Sequence, residues 1–282
     1  MTKIIIANWK MNHSFDEADL WLLEFFKFYG HDYEKVSKHE LVLCPPAVLL
    51  DYIDSELMED GFQFLEEVAK KDGRSLEDFS AEEINEIVVN QRPIKLGAQD
   101  CHYEESGSFT GDVSAKMLKD VGCKYVIIGH SERREGCKES DAIVAKKISS
   151  AVKAGLTPIL CVGESKETRD AAKHLEFVEG QVVNALLGEL SCEKLIIAYE
   201  PIWAIGSGVT PTIAQIDDMT KAIKKILQEK FAAKFPQVFV LYGGSVSSAN
   251  SAEILPVCDG LLIGKASLQA EEYIKIASFN LT

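Results

Sequence analysis

Three residues of different acid–base character each stand directly after a short apolar run: Lys10 in Ala7-Asn8-Trp9-Lys10, His130 in Ile128-Gly129-His130-Ser131-Glu132-Arg133, and Glu200 in Ala198-Tyr199-Glu200-Pro201. A carboxylate can take a carbon-bound proton, an imidazole can donate to a developing oxyanion, and an ammonium can stabilise the same charge. Two glycine turns follow apolar runs in the same way, Tyr242-Gly243-Gly244-Ser245 and Ile263-Gly264-Lys265. Singly, each has a bland reading: a solvated carboxylate, a satisfied histidine, an ordinary turn. Their shared position, each at the end of an apolar run, is what a purely structural reading does not anticipate.

The elements that would position them are short β-rich runs alternating with helical patterns: Lys3 to Asn8, Glu40 to Cys44, Ile94 to Ala98, Lys124 to Gly129, Pro158 to Gly163, Leu195 to Tyr199, Val238 to Tyr242 and Gly260 to Gly264. Runs such as Ile4-Ile5-Ile6 and Ile196-Ile197-Ala198 are almost continuously apolar, as parallel strands covered on both faces must be. Between them, Ser14-x-x-Glu17 and Thr212-x-x-Gln215 fit the capping-box pattern at helix starts. Ile216, Met219, Ile223, Ile226 and Leu227 then share one helical face, and the pattern through Ile143, Val144, Ile148, Ala151 and Val152 stops at Gly155. Strict alternation predicts a parallel sheet, and eight such units can close into a single-domain (β/α)8 barrel; a doubly wound open sheet is the alternative before any motif is considered. In a barrel, all the residues above fall at the carboxyl edge, where loops converge on one mouth.

One stretch breaks the rhythm. About fifty residues separate Cys44-Pro45-Pro46 from Gly97-Ala98-Gln99, roughly twice what one helix and its turns need. Leu57 to Ala69 and Ala81 to Val89 read as helical, the second opened by Ser80-x-x-Glu83, with the polar Lys70 to Glu77 between them. Residues from about 57 to 92 are therefore expected to form a helical insertion between the second helix and the third strand. Its simplest role is a surface appendage at the amino-terminal end of the barrel; Phe62, Phe64, Phe79 and Ile87 are the only support for a partner-binding one.

Composition narrows the classes. The chain has 282 residues, 46% of them hydrophobic and 26% charged. No apolar run approaches the roughly 18 residues needed to cross a bilayer, and the four apolar residues after Lys3 are too few for a secretory signal. Seven scattered cysteines without a C-x-x-C pair fit reduced thiols in a cytoplasmic protein and make zinc an unexpected ligand. A net charge of −14 argues against nucleic acid, and an anionic substrate would need a local positive site working against that field.

The strings ANWKMN (7 to 12), GHSERR (129 to 134), AYEPIWAIGSG (198 to 208), LYGGSV (241 to 246) and DGLLIGKASL (259 to 268) resemble, in order, the signature segments of the triosephosphate isomerase family. The resemblance covers essentially the whole chain outside the insertion. It implies an isomerase of dihydroxyacetone phosphate and glyceraldehyde 3-phosphate that needs no metal or organic cofactor. It also implies a small phosphorylated triose as substrate, a homodimer, and no nucleic-acid or membrane partner. Glu200 matches the family's base and His130 its electrophile, kept neutral by the positive end of the helix that follows it; this same family is a standard illustration of that depression. Lys10 matches the catalytic lysine, Asn8 a neutral donor beside it, and Glu132 the lysine's ion-pair partner. Main-chain N–H groups of Gly206, Ser245, Gly264 and Lys265 match the phosphate grip, with a short helix after strand eight aimed at the anion. Ile205 and Leu262, within the matching strings, are supporting residues. Pro201 to Pro211 matches the mobile lid, and Thr110, in Gly107-Ser108-Phe109-Thr110-Gly111, matches a residue that reaches into the neighbouring subunit's site.

Three positions depart from the family pattern. Lys265 replaces a usual glycine, Val209-Thr210-Pro211 replaces the common Lys-Thr-Ala at the far lid hinge, and Asp100 stands where Asn is frequent. Two other readings are weighed against isomerisation. A metal-dependent sugar-phosphate epimerase would need His and Asp ligands at strand ends, where only His130 occurs; a non-catalytic barrel would need damaged chemistry, and Lys10, His130 and Glu200 are intact.

Overall fold

A computed structural model describes residues 2–90, 92–188, 190–205 and 210–279. Eight strands close into one parallel barrel in chain order: β1 (Ile4–Asn8), β2 (Glu40–Cys44), β3 (Lys95–Ala98), β4 (Tyr125–Ile128), β5 (Thr157–Val162), β6 (Lys194–Tyr199), β7 (Gln237–Tyr242) and β8 (Gly260–Ile263). The expected strands are all present, with ends shifted by a residue or so. Closure is the pairing of β8 with β1, in which Ile4 lies opposite Gly260 and Ala7 opposite Ile263. A side chain at 260 would bring its Cβ within 1.9 Å of the Ile4 carbonyl oxygen, so the seam closes only around glycine.

The near-continuous apolar runs resolve into two layers. Ile4, Ile6, Val42, Cys44, Tyr125, Ile127, Ile159, Cys161, Ile196, Ala198, Leu241 and Leu262 pack together as one cluster, which fills the barrel. Their strand neighbours, among them Ile5, Ala7, Leu41, Leu43, Val126, Ile128, Leu160, Ile197 and Val240, pack in a second cluster with the helices. Period-two alternation thus sorts the residues, although both sets are apolar.

Among the described residues, twelve α-helices accompany the strands: α1 (Phe15–His31), α2 (Tyr33–Val36), α3 (Leu50–Asp72), α4 (Ala81–Asn85), α5 (Ala115–Asp120), α6 (Ser131–Gly136), α7 (Asp141–Lys153), α8 (Lys166–Asp170), α9 (His174–Ala185), α10 (Ile213–Phe231), α11 (Ser251–Ile254) and α12 (Ala270–Ala277). The capping boxes at Ser14–Glu17 and Thr212–Gln215 are formed, and α7 ends just before Gly155, which takes φ +74°.

The stretch between β2 and β3 differs from its expected form. One 23-residue helix, α3, runs unbroken from Leu50, seven residues before the expected start, through Asp72. Leu50, Ile53 and Leu57 belong to the main barrel–helix layer, whereas Leu65 and Ala69 join a small separate cluster with Phe79 and Val88, flanked by Met58, Ile84 and Ile87. The polar segment from Lys70 reads as a linker in the sequence because its apolar partners lie elsewhere in the chain. Gly73, at φ 66°, stops the helix, and Arg74 N–H returns to the Ala69 carbonyl at 2.9 Å. The Ser80–Glu83 capping box opens α4, and Phe62 and Phe64 remain partly exposed.

At the amino-terminal end of the barrel, four strand-opening residues form a polar cluster. Glu40 accepts from Lys95 Nζ at 2.9 Å, from Lys194 Nζ at 2.5 Å and from the Tyr125 hydroxyl. Burial works to raise the Glu40 carboxyl, but Lys194, Tyr125 and Lys95 overcome it and hold the pKa at about 2. A folded-state value below the ordinary one stabilises the fold above the ordinary carboxylate range, and that stability is lost as pH falls toward 2. The shift corresponds to about 3 kcal/mol. Glu40→Gln is therefore expected to lower urea-unfolding stability by about that amount at pH 7. The gap to wild type should narrow steadily from pH 5 to pH 3; a pH-independent gap would refute the assignment.

Candidate active site

Asn8 is the last residue of β1 and is buried. After it the chain turns sharply: Trp9 N–H donates to the Cys44 carbonyl at 3.1 Å, and Lys10 takes φ +54°, a left-handed conformation unusual for a residue with a side chain. The turn is held from both sides. Asn8 Oδ1 accepts the Lys10 N–H at 3.0 Å, and Gln99 Nε2 donates to the Lys10 and Cys44 carbonyls at 2.8 and 2.9 Å. Such strain costs of order 1–3 kcal/mol and is tolerated here where it aims the lysine into the barrel mouth. Lys10 Nζ meets Glu132 Oε1 at 2.5 Å.

His130 follows β4 through Gly129 and is the N-cap of α6. Its Nδ1 accepts the Glu132 N–H at 3.3 Å, which leaves Nε2 to carry the ring proton. Glu200, immediately after β6, is 2% exposed, and its N–H donates to the Val162 carbonyl at 2.7 Å. Glu200 Oε1 lies 3.1 Å from His130 Nε2, while Oε2 accepts the Ser131 N–H at 3.3 Å. Gly163 makes this placement possible, since a Cβ there would sit 1.8 Å from the Glu200 carbonyl oxygen. Burial drives the imidazole toward its neutral form, but the carboxylates of Glu200 and Glu132 outweigh it and raise the pKa above the ordinary histidine value. The helix contact expected to depress it is present; the net direction is reversed by a carboxylate 70 residues away in sequence.

Asn8, Lys10, Glu132, His130 and Glu200 open on one cavity of about 810 Å³, lined also by Ile205, Gly243, Gly244, Ser245, Leu262, Gly264 and Lys265. Gly264 approaches Lys10 closely: a Cβ at 264 would lie 3.2 Å from Lys10 Cε. Ser245 Oγ donates to the Ala204 carbonyl at 3.0 Å, and Asn250 Nδ2 to the Ser245 carbonyl at 3.1 Å, which fixes the turn after β7. The short helix expected after β8 is a single 3-10 turn, Lys265–Leu268, that starts at the cavity wall. Its opening N–H groups and those of the Gly244–Ser245 turn suit an anion.

Of the expected site residues, Asn8, Lys10, Glu132, His130, Glu200, Ile205, Ser245, Leu262, Gly264 and Lys265 line this one cavity. Gly206, with the rest of the expected lid tip, lies outside the described residues. Thr110 does not line the cavity; it sits in a loop exposed throughout residues 104–112. Sequence reasoning missed Gln99, whose side chain clamps the Lys10 turn, and Glu164. Glu164 Oε1, fully buried, accepts from Arg169 Nε at 2.9 Å, Tyr199 hydroxyl at 3.2 Å and Trp203 Nε1 at 2.8 Å, tying the segment after Glu200 to the end of β5. Both follow strand ends, so the rule that found Lys10 and His130 could have found them. Among the described residues, no group of three or more His, Cys, Asp or Glu is placed to hold a metal ion, and no helix is long and apolar enough to cross a membrane.

Fold and cleft together define a class: a (β/α)8-barrel enzyme with a carboxylate, an imidazole and an ammonium gathered in the cleft at the carboxyl ends of its strands. A family model described as triosephosphate isomerase matches residues 3–73 and 77–280, and the chain belongs to the triosephosphate isomerase family. The Aquifex aeolicus triosephosphate isomerase is 37% identical over 279 residues, covering 98% of each chain. That of Bradyrhizobium sp. (strain ORS 278) is 38% identical over 276 residues, 97% of this chain and 96% of its own. The crystal structure of the Bartonella henselae triosephosphate isomerase superposes with a TM-score of 0.74 at 32% identity, covering 98% of both chains.

Proposed function

We propose that this chain interconverts dihydroxyacetone phosphate and D-glyceraldehyde 3-phosphate through an enediolate, with Glu200 as the base. The observation that carries the reading is the meeting of Glu200, His130 and Lys10 in one cavity, with Glu200 Oε1 3.1 Å from His130 Nε2. Glu200 takes the carbon-bound proton from one carbon and returns it to the next, and the electron pair moves onto the carbonyl oxygen. The imidazole Nε2–H donates to that oxygen. Glu200 is the larger of the two carboxylate influences raising the imidazole pKa, so turning it toward the substrate carbon relaxes the shift, while the Glu132 N–H keeps Nδ1 occupied. Lys10 and Asn8 stabilise the developing charge.

Main-chain amides at Ser245, Gly264 and Lys265 hold the phosphate, joined on family resemblance by Gly206; Ile205 and Leu262 shape the apolar wall. The resemblance to the family implies a lid from Pro201 to Pro211 whose closure would exclude water and protect the enediolate from losing phosphate. The exposed loop bearing Thr110 supports a homodimer in which it enters the partner's site. Seven free cysteines support a reducing, cytoplasmic setting. Residues from about 57 to 92 are an appendage of a single barrel domain, their separate apolar cluster lying away from the cleft.

The test is isomerisation of glyceraldehyde 3-phosphate by the purified chain with and without a chelator. Turnover unaffected by the chelator is expected. Loss of turnover on chelation would favour the metal-dependent epimerase, and none in either condition a binding barrel. Light scattering on the same preparation should give the mass of two chains.

A further inference from the structure

The charges around the cavity do not favour a phosphate dianion as they stand. Three carboxylates line it, Glu132, Glu200 and Glu272, against the ammonium groups of Lys10 and Lys265. Lys10 is committed to Glu132 at 2.5 Å, so its charge is largely cancelled before a ligand arrives. Glu272 is engaged by Ser248, whose N–H donates at 2.7 Å and whose hydroxyl donates at 3.0 Å. Lys265 is exposed, lines the same cavity, and among the described residues has no ion-pair or hydrogen-bond partner. It also opens the 3-10 turn that starts at the cavity wall, so its four-carbon stem is rooted beside Gly264 at the edge of the site. In a chain of net charge −14, a dianion must be drawn in against the overall field.

We propose that the Lys265 ammonium is a direct ligand of the substrate phosphate, supplying the free positive charge that the Lys10–Glu132 pair withholds and favouring the dianion over the monoanion. This rests on the isomerase reading and deepens it. Lys10 and Lys265 then divide the work: Lys10 serves the reacting oxygens, Lys265 the phosphate.

The test compares wild type with Lys265→Gln and Lys265→Arg, using inorganic phosphate titrated calorimetrically at low salt and at about 0.5 M salt, beside KM and kcat for glyceraldehyde 3-phosphate. For Lys265→Gln, the phosphate dissociation constant and KM are expected to rise about tenfold at low salt, with much of the difference lost at high salt, while kcat changes less than twofold. Lys265→Arg should retain most of the affinity. Between pH 5.5 and 7.5, where phosphate gains its second charge, wild-type affinity should rise more steeply than that of Lys265→Gln. Phosphate affinity within twofold of wild type in Lys265→Gln would overturn the proposal, as would a loss confined to kcat. The titration needs no turnover, so a chain that binds phosphate through Lys265 but isomerises nothing would refute the isomerase reading alone.

Discussion

Glu200→Gln is expected to lower kcat by about 10²- to 10⁴-fold, with KM changed far less. Glutamine is nearly isosteric and its side-chain carbonyl can still accept the Ser131 N–H that Glu200 Oε2 accepts at 3.3 Å. The neighbours that place residue 200 act on its main chain, through the Val162 carbonyl and the close approach of Gly163, so the fold should persist and the urea midpoint stay near wild type. What disappears is the only carboxylate facing His130 Nε2 among the described residues. The imidazole should then lose the main influence raising its pKa, and its titration, followed by NMR, should move down. A variant that keeps more than a tenth of wild-type kcat would remove Glu200 from the role of base.

Lys10→Met should cost about 10²- to 10³-fold in kcat/KM, the range found when one preorganised donor to a developing oxyanion is removed. Two effects act in the same direction. The ammonium is lost from beside the reacting oxygens, and Glu132 is left with an uncompensated charge, its Oε2 3.6 Å from His130 Nδ1. That charge favours the imidazolium, the wrong form for a neutral hydrogen-bond donor to the enediolate. Adding Glu132→Gln to Lys10→Met should remove the second effect, restoring the histidine titration but less than tenfold of the rate. Kinetics and histidine titration of the single and double variants separate the two contributions. Full rescue by the second substitution would mean that Lys10 serves only to neutralise Glu132.

The barrel is legible because parallel strands buried on both faces write themselves as continuous apolar runs, and their alternation with capped helices leaves few topologies. The same continuity hides which face of each strand points inward: Ile4 and Ile5 look alike in sequence, yet one fills the barrel and the other packs against helices. The helix after β2 departs from expectation at both ends, because the second half of α3 packs on Phe79 and Val88 rather than on the barrel. At the site, strand-end position is enough to gather Lys10, His130 and Glu200. It cannot show that Glu200 faces the imidazole closely enough to reverse the expected direction of its pKa shift. Nor can it show the left-handed turn at Lys10, which is held by Gln99 from a different strand end.

Deuterium transfer tests the central claim most directly. With dihydroxyacetone phosphate in deuterated water and product trapped as it forms, a carboxylate that lifts a carbon-bound proton exposes it to exchange with solvent. Proton and mass spectra should therefore show deuterium at C2 of glyceraldehyde 3-phosphate with wild type, and negligible formation of labelled product with Glu200→Gln. Product formed rapidly by wild type with no deuterium at C2 at any pH or salt concentration would indicate direct hydrogen migration between the carbons, and Glu200 would have no proton to carry.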